Sequence, residues 1–224
     1  MRKFFRGFIP RTISPKLIIT FFECLRGIQR MSCCKYADHF AQNMCAYTNH
    51  NEAIDCCDGY IENQREYCDM QYGVSQLSLV GCEVIAVYNA LKDLEKQDCS
   101  LVELIDLFEK DGMVLSGRFG TSPKAIADYF NATGYHTRIS AKTSEFEAIA
   151  ATADTLIFTF YNDRDDIFEQ IHTVHVSKHN DTYIAHNVYG DGRVVGPFDS
   201  LDDLMIAINA GRIKPICLIG IMRE

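Results

Sequence analysis

The hydrophobic pattern of this chain changes period once. Up to about residue 150 apolar residues recur at helical spacing, and from Thr155 onward the apolar runs are rich in β-branched and aromatic residues. Strands are predicted over 155–161, 171–178, 182–189 and 215–222. Ahead of them, a helix beginning at Cys82 and running to about 95 carries Val84, Ile85, Val87, Tyr88 and Leu91 on one wide apolar face. Ser100 and Glu103 form a capping box for a helix over 100–110. Ser122 followed by Pro123 starts another, ending at Gly134. Ser144 with Glu147 marks a short helix, and Ser200 with Asp203 opens one over 201–210. Helices first and an antiparallel sheet afterwards make an α+β fold. With 47% hydrophobic residues the chain can bury a core of ordinary size.

Cysteine usage divides the chain near residue 70. Seven of the ten cysteines precede that point, and only Cys82, Cys99 and Cys217 follow it. The expected organisation is a basic, cysteine-rich helical extension over 1–70 and a second domain over 71–224. The extension reads as helix over 17–47 and again over 52–70, with breaks at Gly27 and at Asn49-His50-Asn51. Cys34 and Cys45 are 11 residues apart, as are Cys57 and Cys68. That is close to three helical turns, so each pair lies on one face. Two such helices packed antiparallel would bring Cys34 to Cys68 and Cys45 to Cys57. Disulfides, a zinc site or plain small buried residues all fit this spacing, although the CxxC spacing usual for zinc is absent.

Charge follows the same division. The net charge is -8, yet the first 35 residues hold eight Lys/Arg against Glu23 alone. The acidic balance argues against nucleic acid as a partner. The basic, Phe-rich start suits either docking on the chain's own acidic body or contact with an anionic membrane surface, and docking is the favoured expectation. No run is long enough to span a bilayer, and the start is a poor fit to a signal peptide. That points to the cytoplasm, whereas the cysteine count points outward. No cofactor is expected, and the oligomeric state is open.

One thiol stands in a chemically apt place. Cys82 opens a helix directly after Gly81, where the helix dipole favours thiolate, the nucleophilic form. Gln76, six residues earlier, can aim a side-chain amide at a developing oxyanion above that sulfur, with Gln71 as a competitor. Four of the seven histidines fall within 172–186. Asn180-Asp181 is a two-residue hairpin signal. In that register residue 174 faces 187 and His175 faces His186 on the other side. His172 and Asn187 then share a face as diagonal neighbours, so the histidine can move the thiol proton and the asparagine can orient its ring. A three-residue loop would shift the register and favour His175. His175 with His186 as a metal pair lacks an evident third ligand.

Gln76, Cys82, His172 and Asn187, in that order, resemble the papain-like cysteine peptidases. Within that group the chain is most similar to the small bacterial peptidase domains that remove double-glycine leaders from bacteriocin precursors. The stretches GCEVIAVYNAL, GTSPKAIADYFNATGY and HTVHVSKHNDTYIAHNVY carry the resemblance, which covers roughly residues 70–224. It implies a papain-like fold and a peptide or protein substrate. It also implies Cys82 as nucleophile, His172 as general base and acid, Asn187 as orienting residue and Gln76 as oxyanion donor. Those domains usually carry aspartate at the position of Asn187, and glycine or alanine at the position of Glu83. A carboxylate beside the nucleophile raises a thiol pKa. A catalytically inactive peptide-binding module is therefore the alternative, with a redox- or metal-stapled structural protein as the third reading.

Overall fold

The computed structural model describes residues 13–31, 39–51, 58–95, 99–165, 170–179 and 182–223. Helices α1 (Pro15–Met31) and α2 (Phe40–Tyr47) come first. A short hairpin, β1 (Gln71–Tyr72) with β2 (Ser75–Gln76), leads into α3 (Leu77–Val80) and α4 (Cys82–Asp93). Then come α5 (Leu101–Asp111), α6 (Pro123–Ala132), β3 (His136–Ser140), α7 (Phe146–Ala150), β4 (Thr155–Tyr161), β5 (Ile171–His179) and β6 (Thr182–His186). The chain continues through β7 (Val195–Phe198), α8 (Leu201–Ala207) and β8 (Lys214–Met222). The main sheet is antiparallel throughout, in the order β3-β8-β4-β5-β6-β7. The fold is thus mixed α+β with an antiparallel sheet, as the change of hydrophobic period implies.

The strands separate two cores because successive side chains point to opposite faces. Leu156, Phe158 and Phe160 of β4 and Val174 and Val176 of β5 meet Phe146 and Ile149 of α7 and Leu201 and Leu204 of α8. On the other face Ile157, Ile219 and Ile221 meet α4, α5 and α6 through residues such as Val84, Leu104 and Ile126. The capping expectations hold at three helices. Ser100 and Glu103 make both halves of their box, Ser122 accepts from the Lys124 N–H ahead of Pro123, and Ser200 accepts from the Asp203 N–H.

Several expectations need correction. α1 runs through Gly27 without a break, because its glycine lies mid-helix with both neighbouring turns intact. The helix expected over 52–70 is absent from its described part: residues 58–70 hold only a 3-10 turn, Gln64–Glu66. Asp58 and Gly59 have positive φ, and Asn89 of α4 instead bonds both the N–H and the carbonyl of Ile61. This segment lies along the body. Ile61, Tyr67 and Met70 share a core with Leu77, Val84 and Leu91, so packing runs across the division drawn at residue 70. β3 and β7 were not legible: β3 is a largely polar edge strand, and β7 is a four-residue edge containing Gly196 and Pro197. The third predicted strand stops at His186, because Asn187 takes a left-handed φ of 58°.

The paired cysteines proposed as Cys34–Cys68 and Cys45–Cys57 each include a residue outside the described ones. Cys24, Cys45 and Cys68 are exposed free thiols. Residues 1–12, with four of the eight basic residues of the start, also lie outside. Within α1, Arg26 is buried and pairs with Glu23, Asp111 and Asp128, which ties this helix to the body. No described helix is long and apolar enough to cross a membrane.

The β1–β2 hairpin is pressed against the loop over residues 112–120, which holds Gly112, Gly117 and Gly120. Val74 donates to the Ser116 carbonyl at 2.9 Å. Gly73, at φ +59°, lies so close that a Cβ would stand 2.2 Å from that same oxygen. Gly73→Ala is expected to lower stability by about 2 kcal/mol or more, combining left-handed strain with a backbone clash. A urea melt reads it, and an unchanged midpoint would mean that the loop yields freely.

Candidate active site

Cys82 begins α4 as expected, but its sulfur is closed in. The residue is 6% exposed. Its thiol donates to Oε2 of Glu83 at 3.3 Å. Burial first, and then the Glu83 charge, push the thiol pKa well above its usual value. Backbone hydrogen bonds from Thr173 and from Glu83 act the other way. The helix dipole therefore does not leave a free thiolate here.

Glu83 is the residue that most changes the picture drawn from the sequence. Its side chain is buried beside Gly120, where a Cβ would stand 2.4 Å from Oε2. The Thr121 backbone and the Thr173 hydroxyl also bond it. Burial outweighs these bonds and raises its pKa to about 7. A carboxyl that shares its proton near neutrality thus sits in contact with the thiol.

His172 lies on the strand position next to Thr173, whose backbone reaches the Cys82 sulfur. Its ring packs edge-on against Phe160, 5.9 Å between centroids. Nε2 donates to the Asn187 carbonyl at 2.7 Å. A carbonyl can only accept, so the proton is on Nε2 and the Nδ1 lone pair is left as a base. Burial lowers the His172 pKa, and the Asn187 carbonyl partly offsets this. The neutral ring is the form that can take a proton. Among the hydrogen bonds of the described residues, none joins His172 to Cys82.

The hairpin register follows the expectation. His175 pairs with His186, and His179 with Thr182, while the turn residues Asn180 and Asp181 lie outside the described ones. The contact between Asn187 and His172 differs from the expected one. The backbone of Asn187, not its side chain, holds His172. The Asn187 amide instead faces Gln64, with Oδ1 accepting the Gln64 N–H at 2.9 Å. Gln76 ends β2 with its side chain exposed, and no hydrogen bond among the described residues takes it to the sulfur. Gln71 pairs with it through the backbone. The expected oxyanion donor thus lies in the hairpin just ahead of α3, with its side chain exposed.

His175 belongs to a different network. It is fully buried under α4, and its Nε2 meets Asp93 Oδ2 at 2.9 Å and Thr155 Oγ1 at 2.8 Å. Tyr60 donates to Asp93 Oδ1 and stacks on both His175 and His186. His186 lies between Glu62 Oε1, 2.6 Å from Nδ1, and Ser177 Oγ, 2.8 Å from Nε2. The described residues hold no cluster of three or more metal-type ligands. Sequence reasoning missed Asp93, Glu62, Gln64 and Thr173. Their contacts cross long gaps that no local signal spans, such as 62 positions from Asp93 to Thr155 and 125 from Glu62 to Asn187.

Compared with known proteins, the chain matches no family model, no curated protein and no solved structure.

Proposed function

We propose that this chain is a papain-like cysteine peptidase that cleaves a peptide or protein substrate through a Cys82 thioester. The observation that carries this reading is the pairing of His172 with the Asn187 carbonyl, one residue along β5 from the backbone group that touches the sulfur. That pairing leaves an unprotonated ring nitrogen for a thiol proton. A helix led by cysteine and packed on an antiparallel sheet supports the papain-like arrangement.

The chemistry runs in two steps. His172 takes the thiol proton as sulfur attacks the substrate carbonyl, then gives it to the departing amine as the C–N bond breaks. Water, deprotonated by the same ring, then cleaves the thioester and restores the thiol. The burial of Cys82 and its contact with Glu83 describe a resting thiol, so substrate binding must shift Glu83 for the first step. The same observation favours a second reading, in which the chain only holds a peptide and does not cut it.

Cys82→Ala separates the two. Under the peptidase reading it removes peptide hydrolysis by roughly 10⁴-fold or more while peptide affinity stays within a few-fold. A peptidyl chloromethyl ketone should label the wild type at Cys82 alone. Equal turnover by wild type and Cys82→Ala would overturn the peptidase. Peptide binding without cleavage or labelling would establish the binding module.

A further inference from the structure

Asn187 holds an unusual backbone shape, and one carboxylate grips it. Its φ is 58°, a left-handed conformation that asparagine tolerates better than most residues. In that shape its carbonyl meets His172 Nε2. Glu62 Oε2 accepts the Asn187 N–H at 3.0 Å, and Oε1 lies 2.6 Å from His186 Nδ1. One buried carboxylate therefore bridges the last residue of β6 and the first residue beyond it. From the same segment, the Gln64 N–H holds the Asn187 side chain. Asn89 bonds both backbone groups of Ile61, the residue before Glu62. The clamp is thus anchored on the helix that Cys82 opens.

We propose that Glu62, which lies before the stretch that resembles a peptidase, is a positioning residue for His172, acting through the main chain of Asn187. This rests on His172 being the base of the peptidase reading. Glu62 touches neither the thiol nor the imidazole of His172. It holds the N–H of Asn187, and so fixes one side of the residue whose carbonyl decides which ring nitrogen carries the proton. Losing it lets the Asn187 φ and ψ relax from the left-handed conformation, so the carbonyl on the far side of the residue turns away, Nε2 loses its fixed acceptor and the ring samples both tautomers. The Nδ1 lone pair is then present for only part of the time and is no longer fixed toward β5.

The test uses the full chain with nitrogen-15-labelled histidine. In the wild type the His172 ring shows the Nε2–H tautomer over the pH range where it is neutral. Glu62→Ala should give a mixed tautomer and a lower His172 pKa, because the Asn187 carbonyl is what raises it. Glu62→Gln, which keeps one acceptor oxygen for the Asn187 N–H, should lie nearer the wild type. If Glu62→Ala fails to fold, Glu62→Asp supplies the perturbed case, since its shorter side chain cannot span both partners. With a cleavable peptide, kcat falls on the order of 100-fold at unchanged KM. A folded Glu62→Ala or Glu62→Asp protein with the wild-type tautomer and pKa would overturn the proposal. A wild type that cuts no peptide while the tautomer still depends on Glu62 would overturn the peptidase reading and leave the clamp standing.

Discussion

Glu83→Gln is expected to make Cys82 more reactive toward iodoacetamide at pH 8. The glutamine keeps the shape and bonds to the same pocket but removes the charge that holds the thiol pKa up. Each unit by which that pKa falls gives about ten times more thiolate below it, and alkylation follows the thiolate. Burial remains the larger cause, so the thiol stays above its ordinary value even in the variant. An unchanged alkylation rate would mean that burial alone silences this thiol.

The same variant tests the proton on Glu83. In the folded chain this carboxyl holds its proton up to about pH 7, against 4.5 for an ordinary glutamate. Between those values the folded state binds the extra proton. Its contribution to stability is complete below pH 4.5 and is lost as pH rises through 7, by about 3 kcal/mol. His172 and His175 act in the opposite direction, since burial lowers their pKa values and stability rises with pH until 6.5. The wild-type profile alone mixes these effects. The difference between wild type and Glu83→Gln, taken from urea melts at pH 5 and pH 8, isolates the glutamate. A difference that does not change with pH would show that Glu83 is ionised throughout.

Asp93→Ala is expected to cost about 3–5 kcal/mol at pH 7, because it strands several buried groups at once. Asp93 accepts from Tyr60 and Thr155, and its carboxylate faces His175. Its pKa is lowered to about 2 from 3.8; burial works against ionisation, and His175 and the hydrogen bonds overcome it. A depressed carboxyl stabilises above pH 3.8 and loses that contribution as pH falls through 2, by about 2 kcal/mol. The wild type should therefore lose stability in that acid window, and Asp93→Ala should not show the same loss. Asp93→Asn keeps an acceptor for the hydroxyls and should lose less at pH 7. A loss below about 1 kcal/mol in Asp93→Ala would mean that water replaces the carboxylate at little cost.

How far the sequence could be read depends on the range of the forces involved. Capping at Ser100, Ser122 and Ser200 acts over three residues and was legible. So were β4, which alternates between two cores, and the His175–His186 register, which a two-residue turn sets. The extended run of residues 58–70 was not, because its backbone bonds go to Asn89 and Asn187, far along the chain. β3 and β7 escaped because edge strands bury little and so need little apolar pattern.

The sequence by itself determined that a thiol would open α4, and that His172 and Asn187 would lie on adjacent stretches of the hairpin. Local periodicity and turn chemistry are enough for that. Only the tertiary structure decided the state of that thiol. Burial and the neighbouring Glu83 raise its pKa, and desolvation exists only once the core has closed around both. The tertiary structure also chose the backbone of Asn187 over its side chain as the partner of His172. That choice needs the left-handed bend at Asn187 and the grip of Glu62, 125 residues away in the chain.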